Sequence, residues 1–332
     1  MDLGELSHLL AWGATSAYAV ALVAFAADLA TLADHAAQRR RPAQERVGAF
    51  AGVSARPGIA RSTTDRAAAG GADHDDRPLP RRAAAIAVSV TTVGLLLHVA
   101  STVLRGLAAG RVPWANMYEF TLVGTLVAVA TFLALVRRRD VRFLGTIVLG
   151  LAVVALGVAL VGFYTPARGV EPALQSPWLV IHVSIATIAT GLFTVAFAAS
   201  TLQLLKDSRE QGSPRLAGPR WRALEMLPPV RELEALSFRI NAVAFVLWTF
   251  TIMAGAIWAD HTWGRYWGWD PKEVWSFVVW VVFAAYLHAR TTRGWGGRRA
   301  AWFVLVGYAT VIFNFTVVNL LFQGLHAYSG VS

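Results

Sequence analysis

The sequence predicts an all-α, polytopic integral membrane protein of about eight transmembrane helices, with both termini on the outer side. Three observations carry this. The 332 residues are 56% hydrophobic and only 15% charged, with a mean hydropathy of +0.50, too apolar for a soluble domain of this size. Eight apolar runs reach roughly 20 residues, the length that crosses a hydrocarbon core of about 30 Å. The basic residues fall almost wholly on alternate loops between those runs.

Taken in order, the spans are 9–33, 83–104, 117–136, 142–164, 178–205, 237–259, 272–290 and 300–322. The first is preceded by Asp2 and Glu5 with no Lys or Arg, which reads as a retained span and not a cleavable signal. Residues 34–82 follow, rich in Ala, Arg, Gly and Asp with ten arginines. Such a stretch buries too little apolar surface to fold alone, so a disordered cytoplasmic linker is expected. The second basic loop is Arg137-Arg138-Arg139-Asp140-Val141-Arg142. The third, 206–236, holds Lys206, Arg209, Arg215, Arg220, Arg222 and Arg231, and the fourth holds Arg290, Arg293, Arg298 and Arg299. By the positive-inside rule these four loops are cytoplasmic; the N-terminus, 105–116, 165–177, 260–271 and the C-terminus face outward. Arg231 to Phe238 has helical spacing and is expected to lie along the inner membrane face as a short amphipathic helix. The organisation is thus a first helix (1–33), a basic linker (34–82) and a seven-helix membrane domain (83–332) with an aromatic outer loop, 258–275. Topology accounts for the net charge of +10, so no nucleic-acid partner is expected.

The chemistry concentrates in that outer loop. Six of the thirteen tryptophans lie between 258 and 280. An interfacial belt explains one or two. Trp263, Trp267 and Trp269, spaced by Gly264 and Gly268, instead suit a platform for a flat aromatic ligand. Asp270-Pro271-Lys272-Glu273 reads as the cap of the next helix, with Asp270 free to serve the ligand as well. His182 and His326 fall at the same outer level, and imidazole is the commonest axial donor to a porphyrin iron. His288 lies about 25 Å deeper at 1.5 Å per residue; it either ligates a second, inner haem or caps the helix end beside Arg290. His98 is intramembrane without polar neighbours in sequence, and His261 sits inside the Trp-rich loop. Tyr118 and Glu119, at the top of the third span, either open that helix or touch a ligand or partner. Arg105 and Arg111 either snorkel to the interface or pair with a haem propionate. There is no cysteine, so thiol–disulfide exchange must fall to another protein.

Trp263-Gly-Arg-Tyr-Trp267-Gly-Trp269-Asp270-Pro271-Lys272-Glu273 resembles the WWD signature of haem-handling proteins. Together with His182-Val183-Ser184, Tyr286-Leu287-His288-Ala289-Arg290, Gly324-Leu325-His326-Ala327-Tyr328 and Asn116-Met117-Tyr118-Glu119, it resembles the CcsA/ResC family of System II cytochrome c biogenesis. The resemblance runs from about 98 to 328, leaves 34–82 unmatched, and meets Ala327 where the family usually has Ser. It implies a multi-pass protein of the bacterial plasma membrane that carries haem b outward and, with a ResB-type membrane partner, attaches it to apocytochrome c. That would make the chain a subunit of a cytochrome c synthase (haem lyase). It further implies His182 and His326 as the outer axial ligands, the WWD loop as the platform, and His288 as half of an inner haem site completed by the partner. A separate thiol-reducing protein would keep the client cysteines reduced. Two alternatives stay open: CcmC-type delivery of haem to a haem chaperone, and transport of another solute.

Overall fold

A computed structural model describes residues 1–51, 82–169 and 175–326, with the side chains of 35–51 and of Arg220 outside that description. Among the described residues the chain is all-helical, and eight helices are long and apolar enough to cross a membrane. They are α1 (Leu3–Ala51), α2 (Arg82–Ala109), α3 (Met117–Arg138), α4 (Gly145–Gly162), α5 (Pro177–Glu210), α6 (Val230–Trp263), α7 (Pro271–Thr292) and α8 (Gly297–Phe315); a short α9 (Val317–Leu321) extends α8. Each expected span has its counterpart among these helices; 142–164 overruns α4 by a 3-10 turn (Arg142–Leu144) at its start and by two residues at its end, and the last is shared by α8 and α9. Helix α1 continues past its apolar part to Ala51, into the stretch read as linker; the remainder of that linker, 52–81, lies outside the described residues, as do 327–332.

Two cores share α5. The first gathers α1 to α4 around Tyr18, Phe25, Phe132 and Leu149. The second packs α5 to α8 around Phe193, Trp248, Phe283 and Tyr308. The contacts that set these groupings are close because small residues line them. A Cβ on Gly145 would meet the Phe25 ring at 2.6 Å, and one on Gly191 would meet Val127 at 2.8 Å, so both glycines let helices approach as they do in membrane bundles generally. Polar groups inside the first core are paired across helices: Ser7 and Ser101 each donate to the other's carbonyl at 2.8 and 2.7 Å, and Tyr18 Oη lies 3.2 Å from His98 Nδ1.

Two boundaries differ from expectation. Arg231 to Phe238 is not a separate interfacial helix but the first turns of α6, because Leu233, Ser237, Ile240 and Asn241 continue one buried stripe without a break. At its other end α6 runs on through Trp258 to Trp263, where Gly264 takes the left-handed conformation (φ 69°) and stops it. The aromatic loop is therefore helical in its first third. Its non-helical part is 264–270.

Candidate functional site

The start of α7 is built as its sequence indicates. Asp270 is the N-cap, accepting from Lys272 N at 3.0 Å, while Glu273 Oε2 reaches back to Asp270 N at 3.1 Å, a reciprocal capping box with Pro271 at the first helical position. The same Glu273 oxygen also accepts from Gly268 N at 2.8 Å, which ties the 264–270 segment to α7.

Asp270 has a second set of partners. Its carboxylate accepts from Leu325 N at 2.6 Å and from His326 Nδ1 at 2.8 Å, so one side chain joins the α7 cap to the segment after α9. A Cβ at Gly324 would overlap that carboxylate, and glycine is needed there for the close approach. Burial pushes the Asp270 carboxyl up, but the hydrogen bonds it accepts from His326 and from the Lys272 and Leu325 amides outweigh it and hold it below the ordinary carboxylate value.

His182 is reached from α5, whose start is set by Ser176 as N-cap and Pro177 at the first position. Its Nδ1 lies 2.8 Å from the carbonyl of Thr251 on α6, and its ring rests on Gly255, where a Cβ would be 2.7 Å from Cε1. A carbonyl only accepts, so Nδ1 carries the proton and Nε2 keeps its lone pair. The Asp270 carboxylate imposes the same tautomer on neutral His326. This is the arrangement that orients metal-binding imidazoles, with one nitrogen donating to a carbonyl or carboxylate and the other free to ligate. Trp258 joins the two rings: it lies parallel to His182 (6.1 Å, 9°) and steeply inclined to His326 (5.6 Å, 63°). Trp263 packs edge-on to Trp258 at 4.8 Å and to His326 at 5.0 Å.

Both histidines open on one cleft, whose empty space, counted with its open mouth, is about 1310 Å³. Its walls are mainly apolar and aromatic, from Trp114, Met117 and Phe120 on one side to Trp248, Trp258, Tyr266 and Trp267 on the other. A polar corner holds Lys272, Ser276, Asn314 and Asn319.

The expected site residues thus divide. His182, His326 and Trp267 line the cleft; Trp263 and Asp270 stand behind His326 as supports. Trp269 stands apart from the walls, 77% exposed, edge-on to Trp267 and itself in the left-handed region (φ 60°), a costly conformation for a bulky residue. Tyr118 and Glu119 are buried outside the cleft. Glu119 accepts from Arg105 Nε at 2.9 Å and Arg111 Nη1 at 2.7 Å, and from the amide of Ala115 at 2.9 Å. Arg105 is fully buried in that network instead of snorkelling, and neither arginine reaches the cleft. His98 is buried against Tyr18 and His261 hydrogen-bonds Ile257 O, both away from the cleft. His288 lies on the exposed face of α7, far along the helix from Asp270. Sequence reasoning missed Asn314, Asn319, Trp248 and the cleft-lining role of Lys272. The two asparagines in an otherwise apolar last span were the available signal.

Residues 114–326 match the family profile described as cytochrome C assembly protein. The chain is 34% identical over 244 residues to the cytochrome c biogenesis protein CcsA of Chlamydomonas reinhardtii, which covers 71% of this chain and 66% of that one. It is 37% identical over 268 residues to CcsA of Synechococcus elongatus, covering 68% of this chain and 81% of the relative. Among solved structures it resembles the cytochrome c haem lyase CcmF with a TM-score of 0.62 at 18% identity. That likeness is one of fold. It takes in the whole of this chain and 50% of the lyase, so the chain spans half the length of that neighbour.

Proposed function

From the premise that this chain belongs to the CcsA family of cytochrome c assembly proteins, and is a multi-pass membrane protein of cytochrome c biogenesis, we propose that it is the haem-binding subunit of a System II cytochrome c synthase. In this reading it holds haem b at its outer end and presents it for thioether attachment to apocytochrome c. The observation that carries the reading is the pair of imidazoles, His182 and His326. Each has Nδ1 committed to an oxygen and Nε2 left with its lone pair, and both pack on Trp258 at one aromatic cleft.

The residues fit a bis-imidazole haem. His182 and His326 would hold the iron through their free Nε2 atoms, the Thr251 carbonyl and Asp270 would fix those two rings, and Trp267 with the other aromatic walls would flank the group. Trp269, exposed beside Trp267, is placed to meet the haem edge or the client. Bound haem supplies the reactive vinyl groups and a redox-active iron. The chain's part is to orient the ring, exclude water from its face and leave one edge open. With no cysteine in the sequence, the client thiols are kept reduced by another protein.

The same reading places both termini on the outer side of a bacterial plasma membrane and a second haem at the inner end. Helix α7 leaves Phe277, Val281, Ala285 and His288 exposed on one stripe. An ionisable group on a membrane-spanning surface calls for a covering partner, here a ResB-type chain that supplies the opposing histidine.

The test is complementation. In cells deprived of this chain, wild type restores covalent haem on c-type cytochromes, whereas His182→Ala and His326→Ala each reduce it by at least tenfold at equal protein level. Wild-type output from both variants would refute the proposed function.

A further inference from the structure

The cleft is mainly apolar and aromatic, and one of its corners is rich in unspent N–H donors. Lys272 Nζ donates to the Asn314 carbonyl at 2.7 Å and to Asn319 Oδ1 at 3.0 Å. An ammonium has three N–H groups, so one remains. Asn314 Nδ2 uses one of its two on Ser276 Oγ at 3.2 Å, and Asn319 Nδ2 one of its two on Phe315 O at 2.7 Å. Asn314 is 3% exposed, and its Oδ1 has no partner; that oxygen is an acceptor, so it is the two spare amide N–H groups beside it, one on each asparagine, that are open to an anion.

Lys272 is also the one basic side chain, Lys or Arg, among those lining the cleft. Both of its hydrogen-bond partners are neutral. The two nearest carboxylates in sequence are engaged elsewhere, Asp270 by His326 and two amides and Glu273 by the Gly268 and Asp270 amides. A sheltered cation without a direct counter-ion favours an incoming anion. The two arginines that the sequence offered for this task are occupied by Glu119 behind the wall.

We propose that Lys272, with the spare amide N–H groups of Asn314 and Asn319, is the carboxylate anchor of the cleft and binds a propionate of the haem held by His182 and His326. The proposal rests on the haem-binding reading above. It adds an orientation. Two axial imidazoles fix the iron but let the ring turn about the axis between them; a carboxylate anchor stops that rotation. The vinyl groups lie on the half of the macrocycle away from the propionates, so Lys272 determines which edge the client meets.

The test compares haem with haem dimethyl ester, in which both propionates are capped, titrated into the full-length protein in detergent and read by the Soret band. Wild type prefers haem by roughly tenfold or more, the effect of one sheltered charge-assisted hydrogen bond. Lys272→Gln binds both pigments equally and Lys272→Arg retains the preference. Because each ratio is measured within one protein, partial misfolding of a variant does not alter it. A His182- and His326-dependent spectrum with no preference in wild type, or with the preference intact in Lys272→Gln, overturns the anchor alone. No histidine-dependent spectrum with either pigment overturns the haem reading and the anchor with it.

Discussion

Asp270 does two jobs with one carboxylate: Oδ1 faces the Lys272 amide and His326 Nδ1, and Oδ2 faces the Leu325 amide. Every partner is a donor, so an amide in its place sets an NH₂ against an N–H whichever way it turns. Asp270→Asn is therefore expected to weaken haem binding by about 10- to 100-fold, the range typical of lost support behind a metal ligand, and to lower the melting temperature in detergent. Its depressed pKa gives the sign of the pH response: Asp270 stabilises the fold above the unfolded carboxyl value of about 4, and the contribution is lost as pH falls through the lower folded value. Gly255 makes a cleaner test of ring placement. Gly255→Ala puts a Cβ 2.7 Å from His182 Cε1, within a helix that alanine otherwise favours. The expected result is a disturbed haem spectrum with near-normal thermal stability; an unchanged spectrum would show that the ring can shift without consequence. The capping role of Asp270 was legible because its signature is local. Its bond to His326 crosses 56 residues and leaves no local trace.

At the scale of elements, the turn between α2 and α3 forms a wall of the cleft through Trp114, Ala115 and Asn116. Glu119 holds that turn by taking Arg105, Arg111 and the Ala115 amide together, while Asn116 caps α3 through Glu119 N at 2.9 Å. The Arg105–Glu119 pair is fully buried on both sides, and removing one partner of such a pair costs about 3–5 kcal/mol. Glu119→Ala is expected to fall in that range by chemical or thermal unfolding in detergent. A change below about 1 kcal/mol, the level of a surface ion pair, would contradict this view of the turn. The sequence marked Tyr118 and Glu119 as notable but not which way they faced. A residue at the top of an amphipathic turn can serve the cleft or the wall behind it, and only the packing of α2 against α3 decides. The aromatic loop shows the same limit. Its spacing announced a platform, yet the end of α6 at Gly264 and the left-handed backbone of Trp269 turn one ring in and another out.

For the whole molecule, the eight spans were readable because length and hydropathy are set by the bilayer and need no tertiary information. The division into two cores sharing α5 was not, since it depends on which glycines let which helices close. The exposed stripe of α7 belongs to this scale. Ala285→Trp should be harmless if the stripe faces lipid. If a partner helix packs there, as the proposed function requires, recovery of the ResB-type chain with this protein falls by at least fivefold while the outer haem spectrum is kept. Unchanged recovery would remove α7 as the contact. The central claim concerns the outer pair, and the electron paramagnetic resonance spectrum of the oxidised, haem-loaded protein tests it most directly. Bis-imidazole ligation gives a low-spin signal from the outer haem that disappears in His182→Ala and in His326→Ala and returns when free imidazole is added. Persistence of that signal in the double variant would contradict the assignment of both ligands.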